Sequence, residues 1–290
     1  MSDIKKLITH ADALIDRIEQ LLPDNSVPPD WKASIAFRWR KCNGRGAIAP
    51  VRHVHKIALA DLHGIERQKQ IVEQNTRQFV AGHPANNVLL TGARGTGKSS
   101  LVKALLNKYA RQGLRLIEVE KYDLIDLPEI VELIAERPER FILYCDDLSF
   151  EADEPGFKAL KVVLDGSIAA ASENCLIYAT SNRRHLMPEY MAENLDAKRV
   201  GDEIHPGETV EEKISLSERF GIWVSFYSFD QDEYLNIVAQ WLRHFKVAGA
   251  DADAVRQAAL QWALQRGSRS GRVAWQFARD WAGRARTSGK

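Results

Sequence analysis

From Val88 to Lys103 the chain reads VLLTGARGTGKSSLVK, and no other stretch limits the possible folds so tightly. Val88 to Thr91 predict a short strand, and a helix opens near Ser99. Between them lies the loop Gly92-Ala93-Arg94-Gly95-Thr96-Gly97-Lys98-Ser99, with Ser100 following it. This is the G-x-x-x-x-G-K-[ST] pattern with a strand before it and a helix after it. Gly92, Gly95 and Gly97 allow backbone conformations closed to residues with a Cβ. The loop N–H groups can then converge on phosphate oxygens, and the helix N-terminus adds its positive end. Lys98 is expected to reach the terminal phosphates and the Ser99 hydroxyl to help hold Mg²⁺. The stretch predicts a nucleoside triphosphate site.

The 290 residues suit about two domains, and a hydrophobic content of 45% is ample for a core. A net charge of +1 argues against a chain devoted wholly to nucleic acid. Cys42, Cys145 and Cys175 lie far apart, and no CxxC pair suggests zinc or a disulfide framework. No apolar run reaches the roughly eighteen residues needed to cross a bilayer. The start, MSDIKKLITHADALIDRIEQLL, is amphipathic and acid-containing, unlike a signal peptide. The expectation is a reducing cytoplasm, without a membrane partner.

Ile4 to Leu22 predict a helix by apolar spacing, broken by Pro23, Pro28 and Pro29. Trp31 to Ala60 carry seven Lys/Arg residues and no acid, with Trp31, Phe37 and Trp39 interleaved and Gly44 and Gly46 marking a turn. Two readings stand. The segment is either a nucleic-acid surface, cations on phosphates and rings on bases, or a strap with buried rings and solvated or paired charges. The small net charge favours the strap. His63 stands alone and reads as structural.

After the phosphate loop, helices and strands alternate: helix Ser99 to Arg111, strand Leu114 to Val119, helix Pro128 to Glu136, strand Phe141 to Cys145, helix Gly156 to Ala170, strand Cys175 to Ala179. That alternation predicts a parallel sheet covered by helices on both faces. The strand Phe141 to Cys145 delivers Asp146 and Asp147 at its C-terminal end, where Asp146 can serve Mg²⁺ directly or through water. Asn182, after the next strand, is placed to orient an attacking water, although an ordinary turn residue fits the position equally well. Met187 to Lys213 read as a long surface loop, Ile222 to Phe226 as a strand, and Asp232 to Phe245, Asp251 to Gln265 and Gly271 to Arg286 as helices.

Taken in order, these motifs resemble an AAA+ ATPase. Phe37 to Trp39 (FRW), TGARGTGKSSLVKALL, GLRLIEV, CDDLSFE, YATSNRRHL and SERFGIW further resemble a bacterial family of stand-alone AAA+ proteins labelled domain of unknown function 815. The resemblance implies a three-layer P-loop α/β fold with a small C-terminal helical lid: residues 1–60 as an N-terminal helix and basic segment, 61–229 as the nucleotide domain, 230–290 as the lid. Lys98 and Ser99 then form Walker A, Asp146 and Asp147 Walker B, and Asn182 sensor 1. Arg219 matches an arginine finger reaching into a neighbouring subunit, and Arg272, with Arg269 as its rival, matches sensor 2. Ile65 would lie against adenine.

Most AAA+ proteins carry Glu where Asp147 stands, so either Asp147 or Glu151 is expected to activate water. The implied ligands are ATP and Mg²⁺, and the implied assembly is a homo-oligomeric ring or partial ring. The implied activity is ATP hydrolysis at subunit interfaces that remodels a protein or nucleic-acid client. The alternatives are a slow-turnover switch or loader, and nucleic-acid engagement through the basic segment and the Arg-rich C-terminal end. Lys121-Tyr122 stands nearest to an aromatic pore loop, with Tyr122 expected to be ordinary packing at a strand end.

Overall fold

A computed structural model describes residues 29–42, 45–150, 154–165, 173–182, 198–200, 203–205, 218–249 and 252–287. The expected helix Ile4 to Leu22, Glu151 and most of the expected loop from Met187 to Lys213 lie outside these residues. The main sheet has seven strands: β1 (Ala36–Cys42), β2 (Arg45–Pro50), β3 (Val88–Gly92), β4 (Leu114–Glu118), β5 (Arg140–Cys145), β6 (Cys175–Ser181) and, last in sequence, β9 (Ile222–Phe226). Lys198–Val200 (β7) and Glu203–His205 (β8) form a separate antiparallel pair.

The spatial order is β2-β1-β4-β5-β6-β3-β9, parallel throughout except for the β1–β2 hairpin. β3 therefore lies between β6 and β9, both later in sequence. Ligands bind beyond the carboxyl ends of the strands at such a reversal.

Alternating side chains build two cores, as a sheet buried on both faces requires. Leu90, Ile142, Tyr144 and Tyr178 face α1 (Glu66–Val80) and α2 (Lys98–Tyr109). Leu89, Leu143, Cys145 and Ile177 face α3 (Leu127–Ile134) and α4 (Pro155–Asp165). Burial pushes the Cys145 and Cys175 thiols up to about 12, so both stay protonated at neutral pH. Three further helices, α5 (Gln231–His244), α6 (Asp253–Gln265) and α7 (Gly271–Thr287), form the C-terminal unit. A capping box starts α5: Glu233 N–H donates to Asp230 Oδ1 at 2.8 Å and Asp230 N–H donates to Glu233 Oε2 at 2.9 Å. Phe229 and Ile237 join Leu62 and Ile65 in one apolar cluster, which ties this unit to the sheet. Among the described residues no helix is long and apolar enough to cross a membrane.

The hairpin β1–β2 places part of residues 1–60 inside the main sheet, because β1 pairs with β4 from Ala36↔Leu116 to Arg38↔Glu118. Trp31, Phe37 and Trp39 are buried, so these three rings are not available for stacking on bases. Two of the basic segment's cations pair with acids: Arg38 donates to Glu118 at 2.6 Å, and Lys41 lies 2.8 Å from Asp126. The buried rings and these two ion pairs fit the strap reading of the segment.

Tyr122 corrects an expectation. It is 87% exposed rather than packed at a strand end. The turn Lys121–Asp126 is a 3₁₀ helix, in which residues three apart share a face. Leu124 and Leu127 take the inward face, and Tyr122 is left pointing out.

Candidate functional site

The phosphate loop is built against β9. Gly92 has φ 122°, and a Cβ there would lie 1.9 Å from the Phe226 carbonyl oxygen, so neither its conformation nor its surroundings admit another residue. Ala93 N–H donates to that same carbonyl at 3.2 Å. Thr96 Oγ1 donates to Ala93 O at 2.8 Å and closes the loop. Gly97, with φ 103°, turns the chain into α2.

Lys98 is 6% exposed. Its ammonium donates to Gly92 O at 2.7 Å, Ala93 O at 2.8 Å and Asn182 Oδ1 at 3.1 Å. Burial holds its pKa below the usual lysine range; Asp146 and Asp147 oppose that shift, and the nearby Arg272 and Arg94 add to it. Three cations thus crowd one cleft. An anion among them would relieve both the desolvation and the repulsion.

Asp146 and Asp147 follow β5 directly. Asp146 Oδ1 accepts from Ser99 Oγ at 2.8 Å and from Thr180 Oγ1. Burial alone would raise the Asp146 pKa, but hydroxyls of Thr180, Tyr144 and Ser99 favour the charged form and hold it below the usual carboxylate range. Asp147 has φ 52°, in the left-handed region that few non-glycine residues adopt. Its N–H donates to Thr180 Oγ1 at 2.9 Å, and its Oδ1 accepts from Asn182 Nδ2. A polar chain therefore runs from Lys98 through Asn182 to Asp147. Ser99 Oγ with Asp146 Oδ1 presents the hard oxygen ligands that suit Mg²⁺.

These residues border a cleft of about 810 Å³ between the sheet and the C-terminal helices. Arg94, Gly95, Thr96, Gly97, Lys98, Ser99 and Ser100 line one end, with Asp146, Asp147, Asn182 and Arg272 around them. Arg269 does not line it, whereas Arg272 N–H donates to Gly95 O at 3.2 Å and seats the start of α7 on the loop. At the other end Ile65, Phe229 and Ile237 form an apolar floor beside Trp241 and Trp275. His63 also lines the cleft; burial foremost and Lys69 next lower its pKa, against the pull of Glu66 and Asp61, so it is neutral at neutral pH.

Among the described residues Arg219, like Arg269, does not join this group. Arg219 lies beside Asp165 at the end of α4, with its Nε donating to Asp165 Oδ1, and does not line the cleft. Glu151 lies outside the described residues. Thr180 was missed. Its signal was a hydroxyl at the end of an otherwise apolar strand, two residues before Asn182 and hence on the same side. The lid walls Trp241 and Trp275 were missed as cleft residues too, since their sequence spacing is that of any packed helix.

The family described as Protein of unknown function (DUF815) matches residues 32–285. No curated protein matches the chain's sequence. Similar solved structures include a point variant of Thermotoga maritima RuvB, at TM-score 0.50 and 15% identity, covering 78% of this chain and 64% of that one. The chain thus spans less than two thirds of that structure's length. The HORMA:CdnC:Trip13 complex of E. coli MS115-1 is similar at TM-score 0.49 and 12% identity, covering 77% and 90%. The replication initiator DnaA bound to AMPPCP and single-stranded DNA is similar at TM-score 0.47 and 17% identity, covering 73% and 60%. At these identities the likeness is one of fold alone.

Proposed function

Because the chain belongs to the DUF815 family and folds as an AAA+ P-loop protein, we propose that it binds ATP with Mg²⁺ and hydrolyses it at interfaces between its own copies. The observation that carries this reading is the convergence of Lys98, Ser99, Asp146 and Asn182 at the carboxyl ends of β3, β5 and β6, with Ser99 Oγ 2.8 Å from Asp146 Oδ1. The loop N–H groups, Lys98 and Arg94 bind the phosphates, and Arg272 reads them from the lid. Ser99 and Asp146 hold Mg²⁺, which supplies charge neutralisation at the β- and γ-phosphates. Ile65 and the apolar floor receive the adenine.

Asp147 orients and deprotonates the attacking water, with Asn182 fixing its carboxylate; Glu151 is the rival for that task. Arg219 completes the site of a neighbouring copy, so the functional unit is a ring or partial ring that remodels a macromolecular client in the cytoplasm. Its present partner, Asp165, must then release it. The short side chain of Asp147, already held by Asn182, supports a second reading in which turnover is slow and the ATP-closed form itself holds the partner.

Steady-state hydrolysis over a wide protein concentration range tests both. Lys98→Ala is expected to abolish binding, and unchanged ATP affinity in that variant would remove the phosphate-loop assignment. Turnover per subunit is expected to rise with concentration, and Arg219→Ala to keep ATP binding while losing at least tenfold in rate, or about 1.4 kcal/mol. Full activity of Arg219→Ala would remove the finger. Tight binding with negligible turnover at every concentration would select the switch.

A further inference from the structure

The connection from the β1–β2 hairpin to α1 has little regular structure of its own. Val51 to Ala58 form neither helix nor strand, and Leu59–Asp61 make one 3₁₀ turn. His55, Lys56 and Ile57 nevertheless line the cleft, together with Leu62 and Ile65 further along the same connection. Backbone outside helix and sheet must find its hydrogen-bond partners elsewhere. Asn107 provides two of them. Its Nδ2 amide donates to His55 O and to Ile57 O, both at 2.9 Å. An amide nitrogen carries two N–H groups, so one side chain makes both bonds. Beyond them, Ala58 N–H donates to Asp61 Oδ2 at 2.8 Å, and Lys69 of α1 donates to Leu62 O at 2.5 Å.

Asn107 belongs to α2, the helix that begins with Lys98 and Ser99. It follows Ser100, a cleft residue, by two helical turns, so the two share a face of α2. Seven residues of helix set them about 10 Å apart along the axis. Asn107 itself does not line the cleft; the backbone it holds does. One helix therefore carries both the phosphate-loop lysine and the anchor of this wall.

We propose that Asn107 is a positioning residue for the nucleoside end of the ligand, fixing His55 to Ile57 as a wall that base and ribose meet already in place. The proposal rests on the reading of the cleft as an ATP site. Without the two bonds the connection has to be ordered as the nucleotide binds, and that ordering weakens the affinity. Phosphate binding comes from the loop and Lys98, and does not depend on the wall.

Titration calorimetry of the full chain tests this, with a non-hydrolysable ATP analogue and with inorganic tripolyphosphate, each in Mg²⁺. Asn107→Ala is expected to bind the analogue about tenfold more weakly than wild type, and tripolyphosphate equally well. Unchanged affinity for the analogue would overturn the proposal. An equal loss for both ligands would overturn it too, because Asn107 would then act through the stability of α2 and the loop. Wild type that binds tripolyphosphate as tightly as the analogue would remove the wall and leave the phosphate loop standing. Wild type that binds neither would overturn the ATP site itself. A second measurement needs no variant. Amide hydrogen exchange across residues 51–62 of wild type is expected to slow with the analogue and not with tripolyphosphate. Exchange that slows with neither, or equally with both, would overturn the role of this connection.

Discussion

Thr180 joins the two acids. Its hydroxyl donates to Asp146 and accepts from the Asp147 N–H, so one side chain sets the orientation of the first carboxylate and the unusual backbone of the second. Asp147 holds a left-handed φ of 52° only because its surroundings fix it there. Thr180→Val keeps the shape of the side chain and removes both bonds. Hydrogen bonds to charged groups contribute about 1.5–3 kcal/mol each. The variant is expected to bind ATP within a few-fold of wild type and to hydrolyse it about 10- to 100-fold more slowly. Single-turnover kinetics with wild-type rates would show that Asp147 keeps its place without Thr180.

At the scale of elements, the β1–β2 hairpin shows what the sequence revealed and what it concealed. Phe37-Arg38-Trp39-Arg40 alternates apolar and charged residues with period two, the signature of a half-buried strand, yet a run of cations with aromatics also fits a nucleic-acid surface. Pairing with β4 buries the rings, and pairing is a long-range fact. Glu118 and Asp126, which neutralise Arg38 and Lys41, lie some eighty residues on. The phosphate loop, both acids, Asn182 and the last three helices were legible because each announces itself within a dozen residues. Thr180 and the cleft's tryptophans were not, since each acts only through a partner from another element. The C-terminal arginines are likewise partly absorbed by packing: Arg266 lies over Trp262, Arg279 over Trp275, and Arg284 pairs with Asp280.

The hairpin also makes a prediction. A Cβ at Gly46 would fall 1.7 Å from the Trp39 ring, so Gly46→Ala must displace a fully buried indole that also donates to Asp126. Overpacking of this kind costs about 1–3 kcal/mol. Urea denaturation should show a lower midpoint at constant slope, with ATP affinity retained, since three strands separate the hairpin from β3. An unchanged midpoint would mean that Trp39 yields without cost.

For the whole molecule, the question is whether sheet domain and lid behave as one body. Leu62 and Ile65 from the sheet side share an apolar cluster with Phe229 and Ile237, and the start of α7 rests on the phosphate loop through Arg272 N–H and Gly95 O. A lid held by both contacts should not melt separately. Tryptophan reports on each part: Trp31, Trp39 and Trp223 sit in the sheet domain, and Trp241, Trp262, Trp275 and Trp281 in the lid. Thermal unfolding followed by tryptophan fluorescence and by circular dichroism is therefore expected to give one coincident transition. A Mg²⁺-bound ATP analogue at a hundred times its dissociation constant stabilises the folded form by about 2.7 kcal/mol. For a chain of this size that raises the midpoint by roughly 5 °C or more. Two transitions, with only the later one moved by nucleotide, would mean that the lid opens and melts on its own. The contact between Arg272 and Gly95 would then be made only by a minority of molecules, and nucleotide would have to recruit the lid rather than lock one already in place.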